Sequence, residues 1–593
     1  MTAQTNRNIH SGNLSAEAIR TLENNGCSSR CWEQVLIHPD TDLSLLRNVR
    51  FEGEVKIGIV KSTEEALSGI GNALVIDCEI GDYPFINNIG GHLKGVRIGP
   101  HVTITNTGRV EMEPEARCGV CTAVSVLDET GSRPVYIFPG LSVQLATLMA
   151  LRPQWTEEEL KDMITEACDR DKPRYDIGAG AVITDCGMLR NVRVDSRVTV
   201  EGATRLVNGT IMNNAPKGYE LAFVGSGVDA ENFIIEDGKA DAGVLLRNVY
   251  IGQGAELSKR FTAHDSLFFA NCAMENGEAC AIIAAPYTVS MHKASLMIAS
   301  QSSFMNAGSG TNFSNHMYKL GPVHWGYMER GVKTSSNAYV MWGARIGAFS
   351  LIMGNHKTHP DTSRLPFSYL FGDEKGRTTV APAQMLKSCG LVRDAQKWPL
   401  RDKRLKRHLP LHDKINYSPY NPQTITSMMK GMAWLNEHTN DEVAADGLVH
   451  ADGLMLRPGA FHSGRHLYLI AILRYLYTKM HTPGFEQIEL GDSEREALLN
   501  IEWIDLAGMI MTRADVNRIL HAGSLVEIDR ILKEIHDNFP TKELKWVKAL
   551  VEGLWKSLIP EASSAIVELE EMIAEDRRSY KESLAAENSQ MAF

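Results

Sequence analysis

The densest collection of reactive side chains in this sequence lies between residues 291 and 364. It holds His292, Lys293, Asn312, Ser314, Asn315, His316, Tyr318, Lys319, His324, His356, His359 and Arg364. Imidazole is the side chain that exchanges a proton near neutral pH. Among hydroxyls, amides and cations it suits general-base chemistry, in which an acceptor hydroxyl or amine loses its proton as it attacks an activated carbonyl. Zinc chemistry needs three protein ligands and an open position. The histidine spacings here are eight, from His316 to His324, and three, from His356 to His359, and no third ligand is evident. No metal site is expected.

The rest of the composition sets bounds. The chain has 593 residues, 44% hydrophobic and 22% charged, as in a folded multi-unit protein. With 61 basic and 72 acidic residues the net charge is -11, so no broad basic field for nucleic acid is expected. The opening segment, Met1 to Arg20, contains no apolar core of a secretory signal. The best candidate for a span, Leu467 to Leu473, is cut by Arg474 and is too short to cross a bilayer. Ten scattered cysteines, with a lone CxxC at Cys118 and Cys121, predict reduced thiols and a cytoplasmic location. Gly308 to Gly310 lack the Lys-Ser/Thr of a phosphate loop. The basic run 401–408 reads as a solvated or partner-binding segment.

Short β-type runs must position the polar stretch, and their spacing is unusual. Aliphatics fall six apart at Ile80 and Ile86, at Ile98 and Ile104, at Ile177, Ile183 and Leu189, and at Val194, Val200 and Leu206. The series continues at Leu245, Ile251 and Leu257, and at Ile346 and Ile352. The pair at 98 and 104 repeats the pair at 80 and 86 three hexads later; the missing member is His92. A period of six fits neither a helix nor an alternating strand. It fits a three-faced prism with one short parallel strand per face and one coil per three hexads, stacked about 4.8 Å apart. Residues 45–130 and 176–380 are expected to form such coils, with Ile80 directly under Ile98. Segment 132–175 reads as an inserted helical hairpin, its second helix opened by a Thr156/Glu159 capping box. Residues 1–44 read as a helical entry and 381–422 as an irregular connection. Residues 423–593 read as an α-helical domain, with helices at 423–438, 463–481, 493–511, 513–537, 541–558 and 562–586.

The hexads resemble the hexapeptide-repeat superfamily, whose fold is a left-handed parallel β-helix. The whole chain is similar to a large bacterial family of unknown function, through LENNGCSSRCWEQV near the start, LFFANC at 267–272, SGTNFSNHMYKLGPVHWG at 309–326 and VRDAQKWPLRD at 392–402. Within it, Asn315-His316 and Leu320-Gly321 resemble a motif of the acetyltransferase domain of N-acetylglucosamine-1-phosphate uridyltransferase. That resemblance makes His316 the base on the acceptor, with Asn315, Tyr318 and Lys319 orienting acceptor or donor. Tyr318 stands one place before the family tyrosine, Lys319 occupies that tyrosine's place, and Arg330 stands where an acceptor-binding asparagine falls. The acceptor sugar is therefore not carried over. His359-Pro360 followed by Arg364 is similar to the stretch of sugar O-acetyltransferases that would make His359 the base.

The resemblance implies an acyl-CoA donor, a sugar, sugar nucleotide or small amine as acceptor, and a homotrimer with sites at subunit junctions. The alternative is a non-catalytic β-helix scaffold that binds a sugar nucleotide or a protein partner. Asn312, Ser314, His292, Lys293, His324, His356 and Arg364 complete the expected substrate-binding set.

Overall fold

The computed structural model describes residues 12–64, 67–151, 154–170, 173–314 and 324–553, with Arg578 and Glu582 alone beyond them. The protein is mainly β, a large and mostly parallel sheet followed by a C-terminal helical region. Most strands of the sheet pair in parallel with one that lies a full circuit of the chain later; at the end of the stack Thr378–Ala381 instead turns back antiparallel on Tyr369–Gly372. Three columns of inward side chains result. One runs Ile57, Ile80, Ile98, Ile177, Val194, Ile211. Another runs Leu46, Ile70, Ile86, Ile104, Ile183, Val200. The third runs Val75, Leu93, Val110, Leu189, Leu206, Ala230. All are buried, so a spacing of six becomes one continuous core.

Ile80 lies in register with Ile98, as the three-hexad repeat predicts. Leu93 fills the place counted to His92, and His92 instead meets Glu111 at 3.0 Å. The stack begins earlier than expected, because Ser28 already pairs in parallel with Arg50. It pauses at Glu111, not 130: residues 122–125 and 134–137 form an antiparallel hairpin.

The corners of the circuits turn on residues with positive φ, and this device was not read from the hexads. At the first corner these are Asn48, Asn72, Asn88, Asn106 and Asp185; at the second, farther along, Asn191, Asn208, Asn232, Asn248 and Asp265. Asparagine tolerates this backbone better than other side chains that carry a Cβ. Its amide also bonds to the equivalent residue one circuit on. Asn208 donates to Asn232 at 2.6 Å, Asn232 to Asn248 at 2.9 Å, and Asn248 to Asp265 at 2.8 Å. We expect Asn232→Ala to cost roughly 2–3 kcal/mol, from backbone strain and two lost bonds. Asn232→Gly, which removes only the bonds, should cost about 1 kcal/mol less. Equal urea midpoints for the two would show that the backbone conformation is not what asparagine supplies.

The insertion leaves at Glu111 and returns at Asp176 without shifting the pairing of Ile104 with Ile183. Its helices span Val143–Leu151, almost wholly buried, and Glu157–Arg170. The second carries the expected capping box: Thr156 N–H donates to Glu159 at 2.7 Å and Glu159 N–H to Thr156 Oγ1 at 3.2 Å.

Beyond the stack, the stretch read as an irregular connection holds a helix, Cys389–Arg401, and further helices span Pro422–Glu437, Pro458–Met480, Asp492–Leu499, Arg513–Leu520 and 525–553. The helix expected over 493–511 is instead a short helix and a β-hairpin, Trp503–Leu506 with Met509–Thr512. Ala507 and Gly508 both have positive φ, the two-residue turn that suits strand twist, and it outweighs the helix-favouring methionines. The helix expected at 562–586 lies outside the described residues. The basic run 401–408 is not simply solvated, since Arg404 and Arg407 are buried against the stack. Among the described residues no helix is long and apolar enough to cross a membrane.

Candidate functional site

The described residues of the polar stretch do not gather in one place. His292 and Lys293 lie exposed on the turn after Val289–Ser290. The carbonyl of Lys293 accepts from Gly310 N–H at 3.3 Å, so this turn stacks on the next and faces outward. Asn312 and Ser314 sit in the strand Asn312–Ser314, which pairs with residues 339–341. That circuit is longer than most by half: Asn312 pairs with Tyr339, whereas Ile80 pairs with Ile98. Residues 315–323 of that circuit lie outside the described residues. Asn315, His316, Tyr318 and Lys319 are among them.

His356 is buried, and both ring nitrogens are engaged. Nε2 is 3.1 Å from the Met353 carbonyl, which can only accept, so Nε2 donates and Nδ1 accepts from Thr378 Oγ1 at 2.9 Å. This is the packing of a structural histidine. Burial lowers its pKa to about 4. Unfolded histidine takes a proton below about 6.5 that the folded chain refuses until about pH 4. His356 therefore supports the fold above about pH 6.5 and withdraws that support, up to roughly 3 kcal/mol, as pH falls to 4. We expect His356→Leu to flatten that part of the urea-midpoint profile; an unchanged slope between pH 6.5 and 4 would assign it to other groups.

His359 is placed differently. Its Nδ1 lies 2.5 Å from the Trp342 carbonyl, which again must accept. Nδ1 therefore carries a proton, which in the neutral ring leaves the lone pair on Nε2, the form a base requires. His324 brings its ring to 5.9 Å from that of His359.

Beside this corner opens a cavity of about 580 Å³. Its floor is the outer face of one ladder, where Gln301, Tyr327 and Arg345 stack in register. Thr147, Leu148 and Leu151 of the insertion form one wall, and the hairpin 503–512 with Arg513 and Val516 another. A third wall is the helix Pro422–Glu437, through Gln423, Thr426, Ser427 and Lys430, whose spacing puts them on one face. Gly343 joins the two places: it lines the cavity, and a Cβ there would lie 3.1 Å from His359 Nδ1. Of the expected residues Arg364 also lines the cavity, paired at 3.0 Å with Asp452.

Glu329, which the sequence reading missed, lines it too. It is buried, meets Arg345 at 3.0 Å and accepts from Ala348 N–H at 3.2 Å. Burial pushes its pKa up to about 7, against the pull of Arg345 and with help from Asp505. A carboxyl that titrates near neutrality inside a cavity suits proton transfer. The available signal was the coil-length repeat of outward polar side chains, Tyr327 before Met328 and Arg345 before Ile346. Arg330, the next residue, is a clamp: buried, it donates to Asp505 at 2.6 Å and to the carbonyls of Asn416, Ser418 and Gly508.

Among the described residues no group of three or more His, Cys, Asp or Glu could hold a metal ion, and no disulfide joins the described cysteines. No solved structure matches the chain. An uncharacterized protein of Treponema pallidum (strain Nichols) is 25% identical over 457 residues, 71% of this chain and 61% of that protein. The matched part thus covers less than two thirds of that relative. The domain of unknown function DUF4954 matches residues 12–439, which hold the stack, the insertion and the first wall helix of the cavity. The chain belongs to the DUF4954 family.

Proposed function

We propose that this protein is an acyl-CoA-dependent acyltransferase on a left-handed parallel β-helix, acting on a sugar, sugar nucleotide or small amine. The observation that carries the reading is His359, whose Nδ1 is held by the Trp342 carbonyl next to Gly343 of the cavity wall. The acceptor hydroxyl or amine gives its proton to Nε2 while its oxygen or nitrogen bonds to the thioester carbonyl carbon. The C–S bond then breaks, and the imidazolium returns the proton to the coenzyme A thiolate. The hexad spacing and the circuits of about three hexads support the left-handed form. His316 competes for the same role by its resemblance. The assembly is a homotrimer, with the 291–364 stretch at a junction; a monomer by light scattering at micromolar concentration would remove that part.

The test is a thermal-shift and native mass spectrometry screen with acyl-CoAs and nucleotide sugars. A donor at a hundred times its Kd stabilises the fold by about 2.7 kcal/mol. Binding of a nucleotide sugar with no acyl-CoA bound and no thiol released would favour the scaffold reading instead.

A further inference from the structure

The cavity holds an unusual set of unmet hydrogen bonds. Gln301, Gln423 and Trp503 all line it, and Gln301 Oε1, Gln423 Oε1 and Trp503 Nε1 are buried with no partner. Gln301 is 1% exposed, and its amide nitrogen is tied to Thr147 Oγ1 at 3.1 Å, which fixes the side chain. An unmet buried polar atom costs about 1–3 kcal/mol, so three around one cavity are retained against a stability loss. Two acceptors and one donor match a ligand that carries several hydroxyls. The charges select its sign. Arg345 is paired with Glu329, Arg513 with Glu502 and Arg364 with Asp452. Asp505 is taken by Arg330. Lys430, on the rim, has no ion-pair partner among the described residues, so the lining is left with one uncompensated positive charge.

We propose that this cavity binds a polyhydroxylated small anion, with its hydroxyls donating to Gln301 and Gln423 and its anionic group facing Lys430. The role of that ligand as acyl acceptor rests on the acyltransfer reading; its binding does not. A phosphomonoester and a carboxylate present the same chemistry, so both are probes.

The experiment is calorimetric titration of the full chain at pH 7 with glucose 6-phosphate, gluconate and glucose. The two anions should bind, glucose more weakly than either. Lys430→Met should weaken the anions about tenfold and leave glucose unchanged. Gln423→Leu should weaken all three about tenfold while the melting temperature holds or rises, because a buried unmet carbonyl is removed. That pairing separates a ligand-binding group from a structural one, for which melting would fall. The stronger anion of the pair identifies phosphate or carboxylate as the charged group. No heat with any probe at millimolar concentration, or equal affinities in wild type and Gln423→Leu, would overturn the proposal. Binding of these anions with no acyl transfer from any acyl-CoA would leave it standing and sink the acyltransfer reading alone.

Discussion

Arg404→Ala is expected to lower stability by roughly 3–5 kcal/mol, the cost of stranding a buried charge. Arg404 is 1% exposed and Asp402 fully buried, and the two pair at 2.8 Å. The carboxylate also accepts from Asn271 of the stack at 2.9 Å and from Tyr417 at 2.7 Å, and Arg404 reaches the Asp413 carbonyl at 2.8 Å. These bonds hold the Asp402 pKa down to about 2 and fasten the connection to the coils. Arg404→Ala leaves that carboxylate buried without its cation. Replacing both charges at once removes the stranded partner, so the double variant Asp402→Leu/Arg404→Leu should recover part of the loss. Urea unfolding measures both. A single variant within about 1 kcal/mol of wild type would mean that water or rearrangement replaces the pair.

His359→Ala should cut turnover by two or more orders of magnitude while leaving the fold intact, as loss of a positioned base does. His359 is half-buried at a corner, and the bond its ring makes to the Trp342 carbonyl carries none of the aliphatic core. His316→Ala supplies the comparison. If His359 is the base, the second variant costs less; if His316 is the base, the order reverses. The assay uses whichever donor and acceptor the ligand screen identifies. Wild-type turnover in both variants would end the histidine-base mechanism.

The aliphatic columns were legible because each circuit repeats the same demand on the same face. Ile80 and Ile98 stand three hexads apart and stack for that reason. The asparagine corners were equally visible, as Leu46-Arg-Asn48-Val49 returns in Leu189-Arg-Asn191-Val192 and Leu246-Arg-Asn248-Val249. The cavity was not legible. Its walls come from Thr147, Gln301, Gln423 and Trp503, which no local spacing connects. The hairpin that supplies Trp503 reads locally as a helix, since Met509-Ile510-Met511 has no alternation. Arg404 and Arg407 looked solvated because a run of basic residues says nothing of the carboxylate and carbonyls that await it.

The insertion between Glu111 and Asp176 also divides the assembly of the stack in time. Most circuits close over a short stretch of chain, as from Ala230 to Leu246 or Ile80 to Ile98, and can zip from a neighbour already formed. Pairing Ile104 with Ile183 closes a far longer loop, the same separation of 79 that the Asn106–Asp185 link spans. It costs about 1.3 kcal/mol more in chain entropy than the step from Ile80 to Ile98. That difference predicts that the circuits before Glu111 and those after Asp176 nucleate as two separate zippers and that the seam between them closes last. Until it does, each presents an open parallel edge, of which Ile104 and Ile183 are the unjoined halves, ready to accept the matching edge of another chain.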